Sequence, residues 1–385
     1  MTKEPITFFL PNLAGGGAEK VVINLLKEMS QLNLPLDLVV SSTEGPYLNQ
    51  IPKQVNLVNL AKGGVLKCVL PLSRYLKERR PRTLISHMSH ANVAAMLASR
   101  LARTKTQLIL VQHNTLSVDR SKLLRAKFVP MFMKWLYPYA DNIVCVSSGV
   151  AQDLVCKLGL AKEKVKVIYN PVVNEELITA SQAPLDHPWF QQGVPPVFLA
   201  VGRLTEQKDF ITLLEAFALL RKQRLARLVI LGEGELRGEL EAKISQLGIA
   251  LDVSLPGFVT NPYAYMSQAS AFVLSSRWEG LGIVLIEAMA CSCPVIATDC
   301  PNGPKEILEG GKYGYLTQVG DVVALSKAML QVLDAPVNRD LLRQRAIYFS
   351  SKRAVSEYLD LFGNGKNFHN HLAGDLNNSK SKLIV

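Results

Sequence analysis

Residues 271–298 read AFVLSSRWEGLGIVLIEAMACSCPVIAT. Ala271–Leu274 is a short apolar run, and Ser275–Gly282 is a loop carrying two glycines. Ile283–Ala290 then has the composition and length of two helical turns, and Pro294–Ala297 is a second short apolar run. Strand, tight loop, helix and strand in so short a span make a strand–helix–strand unit. Strands apolar on both faces belong to a parallel sheet covered by helices on each side.

The same alternation extends in both directions. Upstream lie strand Val197–Val201, helix Phe210–Arg221, strand Arg227–Leu231, helix Glu235–Leu247 and strand Val253–Leu255. Before them, between residues 171 and 196, the periodicity fails and Pro, Asn, Gln and Gly accumulate, which is a linker signature. The first half repeats the pattern, with strands Ile6–Leu10, Leu36–Ser41, Val55–Leu60, Thr83–His87, Gln107–Gln112, Asn142–Val146 and Val165–Tyr169, and amphipathic stretches such as Ala18–Met29 and Ala91–Leu101 between them. The expectation is an α/β protein of two Rossmann-like, doubly wound parallel-sheet domains facing across a cleft. Their expected bounds are 1–172 and 196–340, with a linker at 173–195. A helix over 341–362 crosses back to the first domain, and a polar tail, 363–385, is disordered.

A length of 385 residues fits two domains, and 48% hydrophobic with 19% charged residues is a globular composition. No run of about 18 uninterrupted apolar residues occurs. The apolar stretch Met1–Leu10 is too short for a signal peptide, so the expected compartment is the cytoplasm. The six cysteines, Cys68, Cys145, Cys156, Cys291, Cys293 and Cys300, form no CxxC pair and read as buried thiols rather than disulfides or metal ligands. The charge of +11 is uneven. Residues 1–190 hold 23 Lys and Arg against 13 Asp and Glu, whereas residues 191–385 hold 20 against 19. A basic first half suits an anionic membrane face or a phosphate-bearing substrate, and no zinc-finger, RNA-stacking or basic-zipper pattern points to nucleic acid.

Four loops carry candidate chemistry. In Ser275–Ala290, free N–H groups at the helix start favour an anion or a sugar oxygen, and Glu279 and Glu287 supply carboxylates that accept from hydroxyl pairs. In Val201-Gly202-Arg203-Leu204-Thr205-Glu206-Gln207-Lys208-Asp209, the cations Arg203 and Lys208 span a strand-to-helix loop and can clamp a diphosphate. Leu13–Lys20 places Gly15-Gly16-Gly17 directly after the first strand, where backbone approaches a ligand closely. It matches neither GxGxxG nor a Walker loop. Gln112-His113-Asn114 ends an apolar strand on the side where ligands bind. His87 and His90 read as a strand end and a helix start, and His369 and His371 fall in the tail without a role.

These motifs together resemble glycosyltransferase family 4, retaining enzymes of the GT-B fold of the bacterial surface-polysaccharide type, from the first strand to about Phe362. The resemblance is carried by Gly15-Gly16-Gly17-Ala18-Glu19-Lys20, by Gly202-Arg203 with Lys208, by Glu279 and Glu287, and by Cys293–Asp299 followed by Gly303-Pro304-Lys305-Glu306-Ile307. It implies that Arg203 and Lys208 hold the donor diphosphate, that Glu287 binds the ribose, and that Glu279 binds the transferred sugar. Backbone at Leu281 and Gly282 would meet the sugar or phosphate. Gly16 would face the diphosphate from the first domain, and His113 would contact the donor sugar beside the reacting carbon. The implied reaction moves a hexose or N-acetylhexosamine from a nucleotide-diphosphate sugar, taken as a UDP-sugar, to a saccharide acceptor, without metal or other cofactor. With no covalent nucleophile evident, the implied route is front-face, the leaving diphosphate helping to deprotonate the acceptor.

Residues 118–139 mix Arg120, Lys122, Arg125, Lys127 and Lys134 with Leu123, Leu124, Phe128, Met131, Phe132, Trp135, Leu136 and Tyr137. This is a basic amphipathic stretch fit to lie on an anionic bilayer, or equally an ordinary helix with a solvated cationic face. On the first reading the acceptor is linked to a polyprenyl diphosphate, and the protein works at the inner face of the cell membrane. Two alternatives share the architecture: a partner subunit that binds donor without transferring, and a nucleotide-sugar 2-epimerase.

Overall fold

The computed structural model describes residues 4–14, 16–61, 63–117, 124–191, 193–335 and 338–363, except the side chains of 124–128. The tail 364–385, Gly15, the residues Arg120, Lys122 and Leu123, and the side chains of Leu124, Arg125, Lys127 and Phe128 lie outside the described residues. Among those described, no helix is long and apolar enough to cross a membrane. The chain divides into two compact units, Met1–Pro171 with Ser351–Val385, and Val172–Ser350.

In the first unit seven strands, β1 (Ile6–Leu10), β2 (Leu36–Val40), β3 (Val55–Asn59), β4 (Thr83–His87), β5 (Gln107–Gln112), β6 (Asn142–Cys145) and β7 (Val165–Val167), form one parallel sheet ordered β3-β2-β1-β4-β5-β6-β7. Strands β1, β2 and β4 are buried at every position, because helices cover both faces and leave no polar side to alternate. The polar Asp37 sits inside β2 and is satisfied by Tyr75 Oη at 2.6 Å, Arg79 Nε at 2.9 Å and Asn56 Nδ2 at 3.2 Å. Burial alone would raise its pKa. The hydrogen bonds from Arg79, Tyr75 and Asn56 outweigh that and hold the carboxyl below its ordinary value.

The run 341–362, expected as one helix, is two: Arg339–Ile347 in the second unit and Ser351–Leu361 in the first. The break has a hydrogen-bonding cause. Val172 N and Val173 N both donate to the Phe349 carbonyl, at 3.0 and 3.1 Å, so extended chain takes the oxygen that a continuous helix would need. Val173 also bridges Ser350. Ser351–Leu361 then buries Val355, Tyr358 and Leu359 and packs on the helix Gly17–Ser30. Gln107 Nε2 and Arg82 Nη2 hold the carbonyls of Leu361 and Phe362 at 2.9 and 2.6 Å.

The second unit has a six-stranded parallel sheet of β8 (Val197–Val201), β9 (Arg227–Leu231), β10 (Val253–Gly257), β11 (Ala271–Leu274), β12 (Val295–Thr298) and β13 (Tyr315–Thr317), ordered β10-β9-β8-β11-β12-β13. Its core gathers Phe198, Phe217, Leu213, Leu228 and Met329. Strand β13 was missed from sequence because three residues show no period. Residues 173–195 contain a seven-residue helix, Glu175–Ser181, whose first turn is capped by Asn174 accepting from Leu177 N at 2.8 Å. Each sheet reverses its strand order once, between β1 and β4 and between β8 and β11. The loops after those strands therefore open onto the crevice where doubly wound sheets bind ligands.

Candidate active site

At the β8/β11 switch point the two motif loops are laced together. Arg277 N donates to Gln207 O at 2.8 Å, Gln207 Nε2 to Trp278 O at 2.9 Å, and Ser275 Oγ to Lys208 O at 2.7 Å. Arg277 Nε binds Asp209 Oδ2 at 3.0 Å, and Thr212 Oγ1 donates to the same oxygen at 2.9 Å. This frame brings Lys208 Nζ to 2.6 Å from Glu279 Oε1. The lysine stem needs a glycine beside it, since a Cβ on Gly202 would fall 2.9 Å from Lys208 Cε.

Ser276 Oγ donates to Glu279 Oε1 as well, at 2.7 Å. Both contacts load one carboxylate oxygen, and Oε2 has no protein partner among the described residues. The pair is mostly buried, with side chains 15% and 9% exposed, where a charge-assisted hydrogen bond is strong. Arg203 is exposed in the same loop.

Beyond Glu279 the loop reaches Leu281, buried, and Gly282, which opens the helix Ile283–Ala290 in a left-handed conformation at φ 88°. Glu287 is buried on that helix and accepts from Tyr263 Oη at 3.1 Å. The loop is backed by Gly303, at φ 89°, where a Cβ would lie 1.9 Å from the Leu281 carbonyl oxygen. Arg345 fixes the following turn by donating to the carbonyls of Ile307 and Glu306 at 2.9 and 2.8 Å. Burial, and then Glu279, push the Cys300 thiol up to about 12, so it is protonated and inert at neutral pH. Five of the six cysteines are buried, and Cys156 is the exposed exception to the sequence reading.

In the first unit Gly16 is the N-cap of the helix Gly17–Ser30, directly after β1. Glu19 folds back over that helix start, and a Cβ on Gly16 would come within 2.5 Å of its Oε2. His113 follows β5 and stacks on His87, the last residue of β4, with ring centroids 5.2 Å apart and His87 Nδ1 3.0 Å from His113 Nε2. Burial holds both imidazoles neutral, lowering His113 to about 4 and His87 well below the usual range. His113 was singled out from sequence. His87 was not, because only the adjacency of β4 and β5 pairs them. The unfolded chain binds protons at both rings below pH about 6.5, whereas the folded chain resists doing so. Stability is therefore expected to fall as pH drops from about 6.5 towards 4. The change in melting temperature over that window should shrink in His113→Gln. An unchanged slope would show that this ring does not drive it.

Residues 15–176 match the model for Glycosyltransferase Family 4, and residues 187–353 match that for Glycosyl transferases group 1. A Campylobacter jejuni N-acetylgalactosamine-N,N'-diacetylbacillosaminyl-diphospho-undecaprenol 4-alpha-N-acetylgalactosaminyltransferase is 32% identical over 352 residues, covering 89% of this chain and 92% of its own. The chain belongs to glycosyltransferase family 4. A second Campylobacter jejuni transferase, the GalNAc-alpha-(1->4)-GalNAc-alpha-(1->3)-diNAcBac-PP-undecaprenol alpha-1,4-N-acetyl-D-galactosaminyltransferase, is 27% identical across 94% of this chain and 99% of its own. Among solved structures, the lipopolysaccharide outer core galactosyltransferase WaaB superposes with a TM-score of 0.74 at 22% identity, over 93% of this chain and 98% of that one. Anabaena HepE in complex with UDP gives 0.69 at 21%, over 96% of this chain and 100% of that one. At these identities the structural likeness carries the fold: the two parallel-sheet units are those of a GT-B glycosyltransferase.

Proposed function

We propose that this family 4 glycosyltransferase moves a hexose or N-acetylhexosamine from a UDP-sugar to a saccharide carried on a polyprenyl diphosphate, with retention of anomeric configuration, in surface-glycan synthesis. The observation that carries the reading is the Lys208–Glu279 pair at the β8/β11 switch point, a cation and a half-occupied carboxylate on one ligand-facing edge. The acceptor class is supported by the two Campylobacter transferases, whose names specify diphospho-undecaprenol-linked saccharides. The donor base is supported by the UDP in HepE.

In this reading Arg203 and Lys208 bind the diphosphate and stabilise the charge that grows on it as it leaves. Glu279 offers Oε2 to the sugar hydroxyls while Oε1 stays held, and Glu287, positioned by Tyr263, takes the ribose hydroxyls. Leu281 and Gly282 present backbone to the sugar or phosphate. Gly16 and His113 keep the roles that the family resemblance implies, a diphosphate contact and, as a neutral hydrogen-bonding group, a donor-sugar contact. The bond from the anomeric carbon to the phosphate oxygen breaks, the acceptor oxygen bonds to that carbon on the same face, and its proton passes to the departing diphosphate. None of these steps requires a metal. The reaction belongs at the cytoplasmic face of the cell membrane, where nucleotide sugars meet lipid-borne saccharides.

The test is a thermal-shift panel of UDP, GDP, ADP and their common sugar conjugates without added metal. UDP and one or more UDP-sugars should raise the melting temperature, a ligand at 100 times its Kd contributing about 2.7 kcal/mol. Silence across the panel would overturn the donor assignment and favour a subunit that has lost donor binding. A response to GDP or ADP alone would correct the base.

A further inference from the structure

Burial keeps both rings of the His87–His113 pair neutral, so each carries one N–H and one bare nitrogen. The 3.0 Å contact joins His87 Nδ1 to His113 Nε2, and one ring must donate while the other accepts. The two choices differ at the far nitrogens. If His113 donates, the proton of His87 sits on Nε2. That atom is buried without a hydrogen-bond partner, in a ring stacked against Phe8 with centroids 6.1 Å apart. If His87 donates instead, its Nε2 is left as a bare acceptor. A buried donor without an acceptor is the rarer event in folded proteins. His87 is therefore the donating ring.

The state of His113 follows. It accepts at Nε2 and carries its own proton on Nδ1. No hydrogen bond from the described residues takes that Nδ1–H, and His113 is the less covered of the two residues. Its imidazole has no free lone pair, since one nitrogen is protonated and the other is occupied. It can donate a hydrogen bond, and it cannot take up a proton without breaking the contact with His87.

His87 is itself held in place. Strands β4 and β5 set it beside Val111, and Asn92 Nδ2 ties the following helix, Ser89–Ala102, to the Val111 carbonyl at 3.0 Å. Met88, between His87 and that helix, has φ 76° and ψ 137°, a conformation that residues with a side chain seldom adopt. Strain of this kind persists where surrounding contacts over-determine the backbone, and it gathers at functional sites.

We propose that His87 is a positioning residue for the transfer reaction: its Nδ1–H occupies His113 Nε2 and so fixes His113 as an Nδ1–H donor that cannot act as a base. The proposal rests on the reading in which His113 meets the donor sugar, and it sharpens that reading twice. The sugar oxygen at His113 must accept a hydrogen bond. The proton of the acceptor hydroxyl must leave by another route, which the departing diphosphate supplies.

The test is nitrogen-15 NMR of the full chain labelled at its histidines, at neutral pH and without ligand, where bare and protonated ring nitrogens resonate apart. His113→Gln and single replacements of the four histidines outside the pair assign the six rings, leaving His87 by elimination. Both rings of the pair should be protonated at Nδ1 and bare at Nε2. In His87→Leu, His113 should lose that single form and show protons at either nitrogen. Affinities would be measured for UDP, UDP-glucose, UDP-galactose and their two N-acetylhexosamine counterparts. In the leucine variant UDP should bind within about twofold of wild type, whereas the UDP-sugar that wild type binds most tightly should lose about fivefold, the worth of one hydrogen bond. His87→Asn, whose amide N–H can stand where Nδ1–H stood, should restore both the single form and the affinity. A wild-type His113 protonated at Nε2 would overturn the proposal, whether or not the leucine variant folds. So would a folded His87→Leu that keeps the wild-type ring form and sugar affinity. The donor reading fails separately: silence of wild type towards UDP and every UDP-sugar would condemn it with the ring assignment intact.

Discussion

Glu279→Gln is expected to lower kcat by about 10²–10³-fold, the range seen when one charge-stabilising group at a reacting centre is removed. The substitution keeps the side-chain shape, so Ser276 and the loop can stay where they are. What it removes is the negative charge beside Lys208, leaving a mostly buried ammonium without its carboxylate. An unmatched buried charge of this kind costs roughly 3–5 kcal/mol in the empty protein. An arriving diphosphate offers the lysine a new anion, so nucleotide affinity should hold or rise while turnover falls. Steady-state kinetics beside UDP thermal shifts would separate the two effects. Turnover near that of wild type would remove Glu279 from the chemistry. A parallel loss of UDP binding would instead mean that the carboxylate serves only to position Lys208.

Gly303→Ala is expected to destabilise the second unit by on the order of 3 kcal/mol and to impair transfer as well. Its φ of 89° already disfavours any side chain, and the Cβ would lie 1.9 Å from the Leu281 carbonyl oxygen. Neither atom belongs to a flexible side chain, so the backbone itself must move. Leu281 stands two residues beyond Glu279, and its displacement reaches the carboxylate. Gly310→Ala is the control: φ is also positive, at 69°, but nothing lies within 4 Å of the added atom. That variant should lose only the conformational cost of about 1–2 kcal/mol. Urea melts of the two variants would decide. Equal losses would show that the contact with Leu281 relaxes freely.

The strand–loop–helix grammar was legible because Val, Ile and Leu fill strands buried on both faces, and glycines mark the loops between strands and helices. The loop-borne members of the site were legible for the same reason: Arg203, Lys208 and Glu279 each follow a recognisable strand. Their pairing was not written in either loop. It follows from β8 and β11 being neighbours at the point where strand order reverses. The same holds for His87, which joins His113 only because β4 lies beside β5. Tyr263 and Ser276, which hold Glu287 and Glu279, gave no signal, since a tyrosine at the start of a helix or a serine in a loop has many innocent reasons to be there. The break at Phe349 was hidden because its cause, the amides of Val172 and Val173, lies far away in sequence.

That break also dictates an order of events at the ribosome. The second unit is one uninterrupted segment, Val172–Ser350, whose two ends are fastened by the Phe349 carbonyl, whereas the first unit is split around it. Its final helix, with Val355, Tyr358 and Leu359, is the last described element to be translated. At roughly 5–20 residues per second the first sheet must wait on the order of ten seconds or more for the segment that closes it. The unit that begins first is thus completed last, and until then the groove beside the helix Gly17–Ser30 stays open to chaperones. A chain stopped after Ser350 would leave the second unit whole and the first without its closing helix.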